Sequence, residues 1–124
     1  MHTVVNKFIR YAKVFTESDP NSETVPSTKR QFDLAHMLVA ELKELGLSDA
    51  AVDSRCYIQA TLPASTEKKA PVIGFVAHMD TAPDMSGENV NPQFIENYEG
   101  GDITLHAENK VVLSPNDFPV LKNY

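Results

Sequence analysis

Val72-Ile73-Gly74-Phe75-Val76-Ala77-His78-Met79-Asp80-Thr81-Ala82-Pro83-Asp84 is the stretch on which the fold of this chain turns. Residues 72–77 hold no polar side chain, the pattern expected of a strand buried on both faces of an α/β sheet. A histidine and an aspartate follow two positions apart, and Pro83 then turns the backbone away. In a strand, residues i and i+2 share a face. Asp80 is therefore placed to accept a hydrogen bond from the imidazole nitrogen of His78 that does not bind metal, fixing the ring's tautomer. Open α/β sheets bind ligands at the carboxyl ends of their strands, which is where the pair is expected to lie. A His-x-Asp triplet is also compatible with a purely structural strand end. One histidine and one aspartate do not complete a metal site.

Working outward, Val4, Val5, Phe8, Ile9, Ala12 and Phe15 recur at helical spacing and predict an amphipathic helix over residues 3–16. Residues 18–26 are a polar loop with Asp19-Pro20-Asn21 as its turn signal. A second helix is expected to start at Pro26-Ser27-Thr28, with Thr28 and Gln31 at capping-box spacing. Its apolar stripe is Phe32, Ala35, Leu38, Val39, Leu42 and Leu45, and Gly46 ends it. Residues 52–62, where Ile58, Ala60 and Leu62 alternate with Gln59 and Thr61, predict a strand that contains Cys56. The fold class implied is α/β, with two N-terminal helices packed on a mixed β-sheet.

Beyond Asp84 the texture changes. Residues 86–101 are rich in Asn and Gly and predict a long ordered loop. Residues 103–105 and 111–113 predict a short hairpin about Glu108-Asn109-Lys110. Phe118-Pro119-Val120-Leu121 is an apolar segment near the end.

Composition narrows the function. With 42% hydrophobic and 23% charged residues, the 124-residue chain is a globular sequence. Its formal net charge of −6 argues against nucleic-acid binding, which needs clustered Lys and Arg. Lys29-Arg30 and Lys68-Lys69 are the only adjacent basic pairs and read as solvated positions. The single cysteine, Cys56, rules out an internal disulfide and fits a reducing cytoplasm. Inside a strand it reads as a small core residue. No uninterrupted apolar stretch resembles a secretory signal or a membrane span.

The other histidines are poorer candidates for chemistry. His2 is terminal; His36 lies off the stripe of the second helix; His106 is expected at the surface near a turn, with a ligand role left open. Asp84 and Asp102 sit beside Pro and Gly, where aspartate is commonly a turn former. There is no phosphate-binding glycine loop and no nucleophile elbow.

At the His78–Asp80 triplet the sequence resembles the first metal-binding motif of the two-zinc aminoacylase and carboxypeptidase-like metallopeptidases. Ser86-Gly87-Glu88-Asn89-Val90-Asn91-Pro92-Gln93-Phe94-Ile95-Glu96-Asn97-Tyr98-Glu99-Gly100-Gly101-Asp102-Ile103-Thr104-Leu105 resembles the tripeptide-cleaving aminopeptidase branch of that family. Val25-Pro26-Ser27-Thr28 with Gln31, Ala60-Thr61-Leu62-Pro63, and Leu113-Ser114-Pro115 with Phe118-Pro119-Val120-Leu121 agree with that branch in the same order. The resemblance implies that His78 is a zinc ligand and Asp80 its supporting carboxylate in the catalytic site. It implies two zinc ions that activate a bridging water, a glutamate base, and tripeptide substrates.

The same family also needs a bridging aspartate, an adjacent glutamate pair, a further carboxylate and a distal histidine. No Glu-Glu or Asp-Asp dipeptide occurs in the chain. The expectation is therefore that residues 1–124 are a truncated amino-terminal portion of the catalytic domain, inactive alone and prone to self-association through residues 118–121. The alternative is a non-catalytic α/β binding or assembly module derived from such a peptidase.

Overall fold

In a computed structural model, the structure describes residues 3–106, 108 and 110–123. Two compact units divide the chain, one running to Pro92 and the other from Gln93.

The first unit begins with helix α1, Thr3–Ala12. It stops short of the predicted residue 16 because the backbone from Thr16 to Ser18 is extended and bonded elsewhere. Thr81 N–H donates to the Thr16 carbonyl at 3.4 Å, and Ser18 N–H donates to the Thr81 carbonyl at 3.0 Å. Glu17 and Thr81 thereby form a parallel bridge.

Helix α2, Gln31–Glu44, buries Leu34 and Ala35. It starts three residues after Thr28, and no side chain caps it. The Thr28 hydroxyl instead donates to the Glu17 carbonyl at 2.8 Å and accepts from Gln31 Nε2 at 3.2 Å. The stop is as read from the sequence. Gly46 has φ +95°, its N–H bonds the Lys43 carbonyl, and Leu47 N–H bonds the Leu42 carbonyl. That pair of bonds is a Schellman motif, which needs the left-handed residue that glycine supplies at little cost.

The strand expected over residues 52–62 is instead a hairpin. Strand β1, Ala51–Val52, pairs antiparallel with β2, Ile58–Gln59. The Asp53 carboxylate makes the turn between them by accepting from Arg55 N–H at 2.9 Å and Tyr57 N–H at 2.8 Å. An aspartate that bonds the backbone two residues on competes with strand pairing. Cys56 consequently sits in the turn, not in a strand, with φ 67°, and it is buried.

The larger correction concerns residues 72–77. They form no strand. Val72, Phe75 and Val76 are 99%, 96% and 98% exposed. An apolar run without alternation specifies cover on both faces and hydrogen-bonding neighbours on both edges. No described segment supplies either. The expected mixed sheet is thus two separate two-stranded antiparallel ladders within an α/β chain.

The second ladder belongs to the second unit. Strand β3, Ile103–His106, pairs with β4, Val111–Leu113, in the expected hairpin, with a bulge between Thr104 and His106. Asn109 of its predicted turn lies outside the described residues; Lys110 has φ 52°. A short 3-10 helix, Pro119–Asn123, carries the apolar end segment, and Phe118 and Val120 are exposed.

Candidate functional site

The two residues singled out by the motif do meet. His78 Nδ1 and Asp80 Oδ1 are 3.0 Å apart. The His78 side chain is 84% exposed and that of Asp80 38%. They are not presented by a strand end, since residues 72–77 are open coil. The pair is anchored from the other side, by the bridge of Thr81 to residues 16–18.

Partial burial pushes the Asp80 carboxyl up, but hydrogen bonds from His78 and Ser18 outweigh it and bring its pKa below the ordinary carboxylate value. The Ser18 hydroxyl also donates to the Thr81 carbonyl at 3.2 Å. On the far side, Glu17 Oε2 accepts the Gly87 N–H at 3.2 Å. Thr81 and Gly87 approach so closely that a Cβ on Gly87 would stand 2.9 Å from Thr81 Oγ1. Residues 16–18, Thr81 and Gly87 therefore frame the corner that holds Asp80. None of Thr16, Glu17 or Ser18 was singled out by sequence reasoning. Their only local signal is a polar triplet after an amphipathic helix, and they meet the motif across more than sixty positions.

The donor set fits one corner of a zinc site. With Nδ1 engaged by a carboxylate, Nε2 is the nitrogen left for a metal, the arrangement usual for metal-bound histidine. It does not fit a whole site. Among the described residues no group of three or more His, Cys, Asp or Glu side chains is placed to hold an ion.

His36 is exposed and stacks on Phe32, with ring centroids 5.9 Å apart. His106 is an exposed residue of β3 in the second unit, and Asp84 and Asp102 are exposed. His2 lies outside the described residues. Burial, and secondarily Asp53, pushes the Cys56 thiol up, which disfavours the reactive thiolate.

A second polar cluster joins α1 to α2. Lys7 and Arg10 form ion pairs with Glu41, and the Tyr11 hydroxyl donates to Glu41 at 2.6 Å. Lys7 and Tyr11, with Arg10 beside them, hold the Glu41 carboxyl down at about 2. A groove of about 340 Å³ runs past Asn6, Lys7, Arg10, Met37 and Glu41. It shares no residue with the His78 corner.

Comparison with known proteins places this geometry in context. The chain is 60% identical over 121 residues to Peptidase T of Geobacillus kaustophilus, covering 98% of the chain and 29% of that protein. It is 57% identical over 126 residues to Peptidase T of Alkaliphilus oremlandii, covering 100% of the chain and 31% of that protein. Against Peptidase T of Clostridium acetobutylicum the figures are 54% over 124 residues, 100% and 30%. No family model matches. The chain thus spans about 30% of the length of the curated relatives it matches.

Proposed function

Starting from a chain that is related to peptidase T along its whole length, we propose that residues 1–124 supply the first metal-ligand corner of a zinc tripeptide aminopeptidase. His78 is the ligand, through Nε2. Asp80 accepts the Nδ1 proton, keeps the neutral ring in the ligating tautomer and orients it. The observation that carries this reading is the 3.0 Å contact between His78 Nδ1 and Asp80 Oδ1 on an otherwise open imidazole.

Two zinc ions in such a site would acidify a bound water and polarise the scissile carbonyl of a tripeptide. The chain's own part is to hold one imidazole at the rim of that site, with its proton on the carboxylate side. The reading also takes the protein to work on small peptides in the cytoplasm, without nucleic acid or membrane. The net charge of −6 and the lone cysteine support it, and no described helix is long and apolar enough to cross a membrane.

Catalytic zinc uses about three protein ligands and an open position. The described residues hold one corner, so the 124-residue chain by itself is expected to show no tripeptide hydrolysis with added zinc. Joined to the remaining part of a peptidase T relative, it is expected to turn over tripeptides, and His78→Ala in that joined protein is expected to abolish turnover. Undiminished turnover by the His78→Ala protein would sink the proposal. The lack of a three-ligand cluster among the described residues and the bare run at residues 72–76 favour one other reading, a non-catalytic binding or assembly module. A joined protein that folds and binds zinc yet cleaves no tripeptide would select it.

A further inference from the structure

The run at residues 72–77 has a backbone as bare as its side chains. Val72, Ile73, Phe75 and Val76 are exposed, and no main-chain group of the run is hydrogen-bonded to a described residue. None of its residues has a positive φ, so nothing there opposes strand pairing. Gly74 has open space where a Cβ would stand, leaving room for a second chain alongside. An uncharged, β-forming segment with free main-chain groups is a template for another strand. Its flanks say which one. Lys68 and Lys69 precede the run, while Asp80 and Asp84 follow it. With Glu67 counted, the leading flank is still net positive, and the trailing flank is negative. Neither lysine forms an ion pair with a described residue. The segment thus complements itself in one orientation only. Two parallel copies would set lysine against lysine and aspartate against aspartate, which destabilises a ladder.

We propose that residues 72–77 pair antiparallel with the same run of a second copy of this chain, joining the two in a two-stranded seam. Bonded and non-bonded pairs alternate along an antiparallel ladder, so a symmetric seam has one residue facing its own copy. With Gly74 facing Gly74, Lys68 stands opposite Asp80, Val72 opposite Val76 and Ile73 opposite Phe75. Pro71 has no N–H to give and takes a non-bonded position. Val72, Gly74 and Val76 then carry the hydrogen bonds between the chains. The missing donor of Pro71 falls on the outer edge, where it discourages a third strand.

Sedimentation equilibrium of the 124-residue chain is expected to show monomers in exchange with dimers, weakly held because the seam is small. Phe75→Lys, and Val76→Lys on the other face of the ladder, should each leave only monomers. Lys68→Glu and Asp80→Lys should each weaken dimerisation about 10-fold, since each sets like charges opposite one another at both ends of the seam. An equimolar mixture of those two variants should dimerise as wild type does, because the exchanged charges meet in the mixed dimer. Misfolded chains would not recover on mixing, so this result holds whatever either variant does alone. In the dimer, amide exchange should slow at Val72, Gly74 and Val76 but not at Ile73 or Phe75. A chain that stays monomeric at about 1 mM would overturn the proposal, leaving the run to another occupant. A mixture no tighter than either variant alone would overturn it too. So would loss of the dimer in Phe118→Lys with Phe75→Lys still dimeric, which would move the contact to residues 118–121. None of these readouts involves zinc or turnover, so the seam stands or falls apart from the zinc reading.

Discussion

Helix α2 and residues 72–77 are both apolar sequences in the same unit, and they meet opposite fates. The helix bonds its own backbone and needs cover along one face only; Ala35 of the expected stripe and Leu34, which lies off it, find that cover and are 0% and 6% exposed, while Leu45 of the stripe stays open. The run at 72–77 can satisfy its backbone only through neighbours and has apolar side chains on both faces. Lacking both kinds of partner among the described residues, it stays bare at Val72, Phe75 and Val76. A helix carries most of its requirements with it, whereas an inner strand borrows them from other segments.

The contrast breaks most readily at Leu34. Leu34→Ala is expected to cost about 2–5 kcal/mol, the range for large-to-small changes in a core. Phe75→Lys, a larger chemical change, is expected to stay within about 0.5 kcal/mol of wild type while reducing light scattering at high protein concentration. Urea unfolding of both variants decides the matter, and a Phe75→Lys loss that rivals Leu34→Ala would mean that the run is covered after all.

A smaller effect separates backbone self-sufficiency from side-chain cover. Gly46→Ala should destabilise by about 1 kcal/mol, because its φ of +95° is strained for any residue with a Cβ, although open space surrounds the site. A neutral result would show that α2 does not need its Schellman ending.

The smallest effect at neutral pH lies in the clasp between the helices. Glu41 has its pKa lowered from 4.5 to about 2 in the folded chain. A depressed carboxylate contributes stability above its unfolded value, and that contribution fades as pH falls from about 4.5 through about 2. Wild-type stability should therefore drop across this window, and Glu41→Gln should flatten the drop while costing little at pH 7, since pairs this open to solvent contribute modestly. Parallel acid-unfolding curves for the two proteins would remove Glu41 from the account.

What could be read from the sequence follows the same division. The body of helix α2, its glycine stop and the hairpin of β3 with β4 are local patterns and appeared where their residues pointed. The helix start did not, because the Thr28 hydroxyl bonds the Glu17 carbonyl instead of capping the helix. The adjacency of His78 and Asp80 was equally local, and it survived even though the strand meant to present it did not form. The strap of residues 16–18 was illegible because Ser18 and Thr81 lie 63 positions apart and Ser18 belongs to no recognisable motif. The hairpin at residues 51–59 was missed for a subtler reason. The alternation from Ile58 onward outweighed Asp53, whose carboxylate turns the chain through Arg55 and Tyr57.

That turn also gives the molecule a built-in clock. Cys56 is the chain's one thiol, and it is only 4% exposed in the bend between β1 and β2. A thiol-reactive dye can reach it only when that bend opens, locally or with the unit as a whole, and where reclosing outpaces labelling the rate reports the population of the open bend. Without altering a residue, the time course of one dye would give the local opening free energy of the first unit beside its global one.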